Sequence, residues 1–478
     1  MCGITGIWNK RLSADELDNR VKESMSLLEH RGPDDAGIWQ DSEIGLSFGH
    51  RRLSIIDTTK NAHQPMVHAS GKYVLVFNGE IYNYQHLYLK YLNKAKKEIN
   101  VGDTAVLLEI LVKMGVNALE LLNGMFAFAF FDYKNNEILL ARDRFGEKPL
   151  YWFKNNEQFV FSSEISSIKP VLGNKTLDIN LKALSVYHMT GSIPAPLTIY
   201  SNINSLVPGS YLQFKMGNEP TVKKYWSIDK SLKYSTYQSS NEQNTISIKQ
   251  SFSNAIASCM VSDVPVGVFL SGGIDSNSIL ATTASEGLTP NIGLCVDFPE
   301  KKYSEYSIAK CSADKYGIEL VRYVVDESIF EEKIASFFSV MDQPTIDGFN
   351  TYFVSNAARE SGIKVWLSGV GGDELFGGYP SFDRMKYLLK IIPILQILFP
   401  DKLATKLSGL RLPIKLAKIL SSLSRGSPSI RAYQLNRLIM PPVQISRALI
   451  NAMEISPKEL QLSLDEYYPV ISDDYDYF

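Results

Sequence analysis

Cysteine is scarce in this 478-residue chain, with four residues at positions 2, 259, 295 and 311. They show no paired short spacing. That excludes a disulfide framework or a common zinc site and makes a reducing cytoplasm the expected compartment. Net charge is small too. Lysine and arginine number 49 against 51 acids, a formal −2, so no global field draws the chain to nucleic acid or an anionic membrane. Long apolar runs are missing. The most apolar stretch, Leu388 to Phe399, is about half a bilayer span and contains Lys390 and Pro393. The opening Met-Cys-Gly-Ile-Thr-Gly lacks the basic leader and apolar run of a signal peptide. Histidine is missing beyond His188, all six lying at or before it. Chemistry in the second half must therefore rest on carboxylates, lysines, backbone amides and bound metal.

What is present divides into two patterns. The chain is too long for one ordinary core, so two domains are expected. The first part reads as many short strands: Tyr73–Phe77 before a turn at Asn78-Gly79, then Ala127–Asp132, Glu137–Arg142 and Gln158–Ser162. Helices over Ala14–Glu29 and Thr104–Lys113 interrupt them, the second with Asp103 or Thr104 near its cap. This order implies a layered α/β sandwich. The stretch 227–245, rich in Ser, Tyr, Asn and Gln, reads as a linker. After it, strands at Pro265–Leu270, Ile292–Phe298, Glu319–Val325 and Lys364–Ser368 alternate with helices that reach about Ser285 and cover Ser304–Tyr316. Alternation of this kind implies a doubly wound parallel sheet, which binds ligands at the carboxyl ends of its strands.

Two places carry chemistry. Cys2 becomes the first residue if the initiator Met is removed, which sets a thiol beside a free α-amine. An α-amine has a pKa of about 7.7–8.0, so it can act as a base near neutral pH. By itself a cysteine at position 2 is as readily chance. Further on, Ser271-Gly272-Gly273-Ile274-Asp275-Ser276 follows a strand and opens a helix. Its glycines let the backbone close on an anion, and the helix start adds free N–H groups and roughly half a positive charge. Ser271 and Ser276 add hydroxyl donors. No Gly-Lys-Ser/Thr follows, so this is not a Walker A loop. The bland reading is a tight strand–helix turn.

Around Cys2 stand Arg31-Gly32-Pro33-Asp34, His50-Arg51-Arg52-Leu53-Ser54-Ile55-Ile56-Asp57, Asn78-Gly79-Glu80-Ile81-Tyr82-Asn83 and Gly102-Asp103-Thr104. With them the chain from Cys2 to about Trp226 resembles the glutaminase domain of class II, N-terminal nucleophile amidotransferases. The resemblance implies Cys2 as nucleophile, with Asn78 and Gly79 stabilising the oxyanion. It implies a glutamine site over Arg52, Leu53, Ser54, Ile55, Ile56, Asn78, Gly79, Glu80 and Asp103. Arg52 would take the α-carboxylate, and Asp103, with Glu80 nearby, the α-ammonium; such pairings suit the charges. Taken singly, Arg52 and Asp103 read as an ordinary ion pair and Asn78-Gly79 as a hairpin turn. The runs Gly124–Ala129, Arg142–Gly146 and Phe161–Glu164 also match and read as structural.

The turn at 271–276 resembles the pyrophosphate loop of ATP pyrophosphatases, and Ser368-Gly369-Val370-Gly371-Gly372-Asp373-Glu374 resembles its companion turn. The resemblance implies ATP held by Leu270, Ser271, Gly272, Gly273, Asp275, Ser276, Val296, Ser368 and Gly369, and Mg2+ held by Asp275 and Asp373. Leu270 and Val296 are equally natural core residues. Together the halves resemble the asparagine synthetase (glutamine-hydrolysing) family. The expected fold is an αββα-type N-terminal nucleophile glutaminase sandwich over 2–226, then a doubly wound parallel-sheet ATP pyrophosphatase domain over 246–478, shortened at its C-terminus. The implied substrates are glutamine, ATP and aspartate or another carboxylate, and the resemblance leaves room for a homodimer.

Two departures keep the acceptor open. The residue after Ser368-Gly369 is Val370 where one well-known form of the motif has a glutamate, and no Arg-x-Pro-Phe-Leu-Asp-like segment follows Tyr379. A sugar-uronate amidotransferase, a glutaminase with an impaired ligase, and a non-catalytic nucleotide-binding protein therefore stand beside asparagine synthesis. The chain closes on an acidic run, Asp473-Asp474-Tyr475-Asp476-Tyr477-Phe478, expected to be exposed.

Overall fold

The computed structural model describes residues 1–92, 101–173, 177–228, 240–408, 412–423, 427–441, 444–445 and 449. Most of the expected linker and the whole acidic tail lie outside these residues. The chain divides into two compact units. The larger holds Met1–Thr176, Asn202–Ser336 and Phe353–Ser368; the smaller holds Leu177–Ser201, Phe337–Tyr352 and Gly369–Phe478. The expected boundary near 227–245 falls inside the larger unit.

The larger unit begins with a sandwich. Its strands are β1 (Gly3–Trp8), β2 (Asp35–Asp41), β3 (Leu46–Arg52), β4 (Met66–Val67), β5 (Tyr73–Ile81), β6 (Gly124–Asp132), β7 (Glu137–Arg142), β8 (Tyr151–Lys154), β9 (Phe159–Ser162), β10 (Ile203–Ser205), β11 (Ser210–Phe214) and β12 (Thr221–Lys224). They form two six-stranded sheets, ordered β10-β8-β9-β1-β3-β2 and β12-β11-β7-β6-β5-β4, with antiparallel neighbours. Strand β6 shows why the layers form. Ala127, Ala129 and Phe131 enter the core between the sheets, while Phe126, Phe128 and Phe130 enter the core beneath the helix Asp103–Met114. A period of two serves both faces at once. Phe48, Phe131 and Phe161 are fully buried between the sheets, and each such burial stabilises by about 1.5–3 kcal/mol. Helices Ala14–Leu27 and Ile165–Leu172 pack together on the outer face of the first sheet. Ser13 caps the former in a reciprocal capping box with Glu16. The layers are therefore αββα.

One sequence expectation needs correction here. The strand expected to stop at Phe77 continues to Ile81, so Asn78-Gly79 is not a turn. Asn78 faces Ala127 and Gly79 faces Phe126 across the ladder. Gly79 and Gly124 both have φ +155, and a Cβ on either would lie 2.1 or 2.0 Å from a carbonyl oxygen of the opposite strand. The glycines serve close backbone approach, not reversal. The expected helix at Thr104–Lys113 is Asp103–Met114, capped by Gly102 with Asp103 in its first turn. The short helix Ile165–Leu172, carrying Pro170, was hidden because eight residues show little periodicity.

The same unit holds a parallel sheet of β13 (Val266–Phe269), β14 (Ile292–Asp297), β15 (Glu319–Val324) and β16 (Val365–Leu367). Its order is β15-β14-β13-β16. The order reverses beside β13, so the crevice beyond the carboxyl ends of β13 and β16 is a topological switch point. Both glycine-rich turns begin at those two ends. The smaller unit is mainly helical, with Ile392, Ala404, Leu423 and Ala432 forming one of its buried clusters. Among the described residues no helix is long and apolar enough to cross a membrane.

Candidate active site

Cys2 stands immediately before β1. The Arg31 guanidinium donates from Nε to the Cys2 carbonyl at 2.9 Å and from a terminal nitrogen to Glu164 at 2.8 Å. This clamp fixes the start of the strand. The Leu53 N–H points at Cys2 Sγ from 3.4 Å. Burial pushes the thiol pKa up, and the neighbouring α-amine, Leu53 and Arg52 oppose it. Burial also pushes the Met1 amine down to about 5.

The thiol opens on a cavity of about 220 Å³ lined by Arg52, Asn78, Glu80, Asp103 and Lys148. That is below the roughly 300–1,000 Å³ of drug-sized sites and suits a small metabolite. Arg52 ends β3. Its guanidinium is buried and donates to the carbonyls of Thr59, at 2.9 Å, and Asp57. Asn78 is 1% exposed, yet neither its Oδ1 nor its Nδ2 has a partner. A buried amide left so costs about 1–3 kcal/mol unless a ligand completes it. Asp103 accepts N–H groups from Ile81 at 3.0 Å and Thr104 at 2.8 Å. Burial, reinforced by Glu80, still pushes its carboxyl up to about 7. Glu80 is raised by burial as well.

Of the expected glutamine-site residues, Arg52, Leu53, Ile55, Ile56, Asn78, Gly79, Glu80 and Asp103 line this cavity with Cys2. Ser54 does not. Its N–H is held by Asp34 Oδ2 at 2.7 Å, so it shapes the loop. Sequence reasoning missed Lys148. Its N–H is held by Asp143 at 3.0 Å and its carbonyl by Arg142 Nε at 2.9 Å. The run Arg142–Gly146, read as structural, thus presents a buried lysine to the cavity. His50 lies in the core beside the site, donating from Nε2 to the Phe77 carbonyl at 3.0 Å, and burial lowers its pKa to about 4.

The second site residue group follows β13. The Ser271 and Ser276 hydroxyls are 3.1 Å apart, and the Gly273 N–H donates to Ser271 Oγ at 3.0 Å. The Gly272 N–H donates to the Glu305 carboxylate at 3.0 Å. A carboxylate oxygen therefore already rests on this turn, which is the donor chemistry a phosphate needs. Asp275 lies in the first turn of the helix Ile274–Ser285. Leu270 is 3% exposed and belongs to a hydrophobic cluster, so only its backbone can meet a nucleotide. Val296 is half-buried and packs on the cluster of Leu294 and Ala357. Beside it Asp297 is buried; burial raises its carboxyl, but Arg322 at 2.8 Å and Ser304 at 3.0 Å hold it below the usual range. Ser368 ends the larger unit and Gly369 opens the smaller, where Asp373 lies in the first turn of the helix Gly372–Phe376. Among the described residues no cluster of three or more His, Cys, Asp or Glu side chains is placed to hold a metal ion.

Comparison with known proteins gives two family matches. Residues 1–226 match the family described as glutamine amidotransferase domain, and residues 247–438 match asparagine synthase. A putative asparagine synthetase [glutamine-hydrolyzing] 2 of Methanocaldococcus jannaschii is 34% identical over 87% of this chain and 81% of its own length. Asparagine synthetase [glutamine-hydrolyzing] 1 of Bacillus subtilis is 34% identical over 79% of this chain and 59% of its own. Asparagine synthetase 3 of the same organism is 29% identical over 80% and 64%. The chain thus spans less than two thirds of either Bacillus protein.

Proposed function

The chain belongs to the glutamine-hydrolysing asparagine synthetase family, and on that premise we propose that it makes asparagine from aspartate, glutamine and ATP, with 2–226 as glutaminase and 246–478 as ligase. The observation that carries the reading is the unpartnered, buried Asn78 amide in one cavity with Cys2, Arg52 and Asp103.

With Met1 removed, the Cys2 α-amine takes the thiol proton and the sulfur attacks the glutamine amide carbon. Arg52 holds the α-carboxylate and Asp103 the α-ammonium. Asn78 Nδ2 and the Gly79 N–H receive the oxyanion, a contribution of about 2.7–4 kcal/mol per donor in other enzymes. The Cys2 α-ammonium returns that proton to the amide nitrogen as the C–N bond breaks, so ammonia leaves and a thioester remains, which water then cleaves to glutamate and free thiol. A free thiol at this position needs a reducing compartment, consistent with a cytoplasmic setting.

In the ligase half the acceptor carboxylate attacks the α-phosphorus of ATP. Pyrophosphate leaves toward Ser271, Gly272, Gly273 and Ser276, and Ser368 and Gly369 border the nucleotide from the next strand. Asp275 would be a ligand for magnesium, which would supply charge neutralisation for the phosphates, and Asp373 is the second carboxylate that the family resemblance assigns to it. Ammonia displaces AMP from the acyl-adenylate and the amide forms. Val370 is 93% exposed and brings no acid to this turn. That favours, as a second reading, a different carboxylate as acceptor.

The test supplies purified protein with glutamine, Mg-ATP and aspartate and follows glutamate, AMP and asparagine together, beside Cys2→Ala. All three products, with glutamine-dependent synthesis lost in the variant, are expected. Glutamate alone points to another acceptor. No glutamate at all sinks the reading.

A further inference from the structure

One wall of the Cys2 cavity is supplied by the parallel sheet. Lys364, Val365 and Trp366, at the amino end of β16, line it together with Cys2 and Arg52. Lys364 Nζ lies 2.6 Å from Asp34 Oδ2. That same oxygen accepts the Ser54 N–H at 2.7 Å. Burial pushes the Asp34 carboxyl up, but Lys364 and Ser54 hold it below its ordinary value. The ammonium therefore keeps Asp34 charged and in place, and Asp34 keeps the loop 52–56 in place.

A second anchor holds the other side of that loop. Asp263, just ahead of β13, accepts the Asp57 N–H at 2.7 Å and donates its own N–H to the Ile55 carbonyl at 3.1 Å. Asp57 in turn receives the Arg52 guanidinium through its carbonyl. The loop that aims Arg52 is thus pinned to the amino ends of β13 and β16. These strands are adjacent and parallel. Their carboxyl ends lead directly into the turns that begin at Ser271 and Ser368. At about 3.3 Å per residue, the step from Lys364 to Ser368 puts that anchor within roughly 13 Å of its turn, and the step from Asp263 to Ser271 puts the other within roughly 26 Å. Packed interiors shift as bodies and do not absorb such displacements.

We propose that Lys364 and Asp263 are positioning residues for the glutamine pocket, and that through them occupation of the nucleotide turns sets glutamine affinity. The inference rests on the function proposed above. Neither residue touches the reacting atoms. Both act by placing Arg52 and Ser54, so their loss moves KM far more than kcat. Binding coupling is reciprocal: whatever factor a nucleotide applies to glutamine, glutamine applies to the nucleotide.

The test uses the full chain. Glutamine hydrolysis is measured for wild type, Lys364→Met and Lys364→Arg. Glutamine binding is then measured by calorimetry on a Cys2→Ala background, with and without a non-hydrolysable Mg-ATP analogue. Lys364→Met is expected to raise KM about tenfold with kcat within about twofold, and Lys364→Arg to recover most of it. The analogue is expected to change glutamine Kd at least about fivefold in the Cys2→Ala protein and not in its Lys364→Met version. Analogue binding on its own should match between the two, which shows that the sheet is intact. Asp263→Asn, which removes charge and keeps an acceptor, is expected to raise KM less than Lys364→Met. Unchanged KM and undiminished coupling in Lys364→Met overturn the proposal while leaving the proposed function standing. Wild type that hydrolyses no glutamine overturns both.

Discussion

The cavity beside Cys2 and the turn after β13 both sit at strand ends, yet they are prepared for ligands in opposite ways. At the cavity, Arg52, Asn78 and Asp103 are 5%, 1% and 3% exposed, held by an αββα core. The Asn78 amide has no partner, so its desolvation is already met before substrate arrives. At the turn, Ile274 is 81% exposed and the Gly272 N–H is occupied by Glu305. Donors there are paired within the protein and must be released to a phosphate. The lesson is about charge. A developing oxyanion is fleeting and needs dipoles fixed in advance. A polyphosphate brings lasting charge and can displace a carboxylate from a surface turn.

The sharpest way to break this contrast is Asn78→Ala. It is expected to lower kcat for glutamine hydrolysis by about 10²–10³ and leave Mg-ATP binding unchanged, as steady-state kinetics and nucleotide titration would report. A loss below tenfold would mean that the orphaned amide is packing and not preparation. The pH dependence comes next. The empty-site Asp103 carboxyl is raised to about 7. Its charged form is the one that receives an ammonium, so protonation below about 7 opposes binding. KM for glutamine is therefore expected to rise toward about tenfold per pH unit below 7 and flatten above it. Asp103→Asn should bind weakly with no such slope. The smallest effect belongs to the turn. Ser276→Ala removes one hydroxyl from a set of paired donors and is expected to weaken Mg-ATP about tenfold with glutaminase kcat unchanged. A nucleotide loss as large as the Asn78 effect would erase the distinction between the two regions.

Much of the architecture was legible in local pattern. The alternation in β6 reports two cores because one strand serves both, and the apolar runs of β13 and β14 lie within two residues of their observed ends. Asn78-Gly79 misled because the local signal of a hairpin is also the signal of a glycine required for close approach. Lys148 and Lys364 escaped for a different reason. A lysine beside an apolar run reads as a solvated end, and nothing nearby in sequence says that Asp143 and Arg142 will turn one of them inward, or that Asp34 will meet the other.

The sequence by itself determined the chemistry available. It placed a thiol at position 2, a guanidinium and carboxylates at Arg52, Glu80 and Asp103, and a Ser-Gly-Gly turn at the end of a buried strand. These follow from residue type and spacing over a few positions. Only the tertiary structure decided which groups are desolvated, which are left unpaired and which are shared. Asn78 has no partner because two sheets close over it, and Asp34 serves both Ser54 and Lys364 across 330 residues of chain. Burial and long-range pairing depend on where the whole backbone goes, and no local window contains that information.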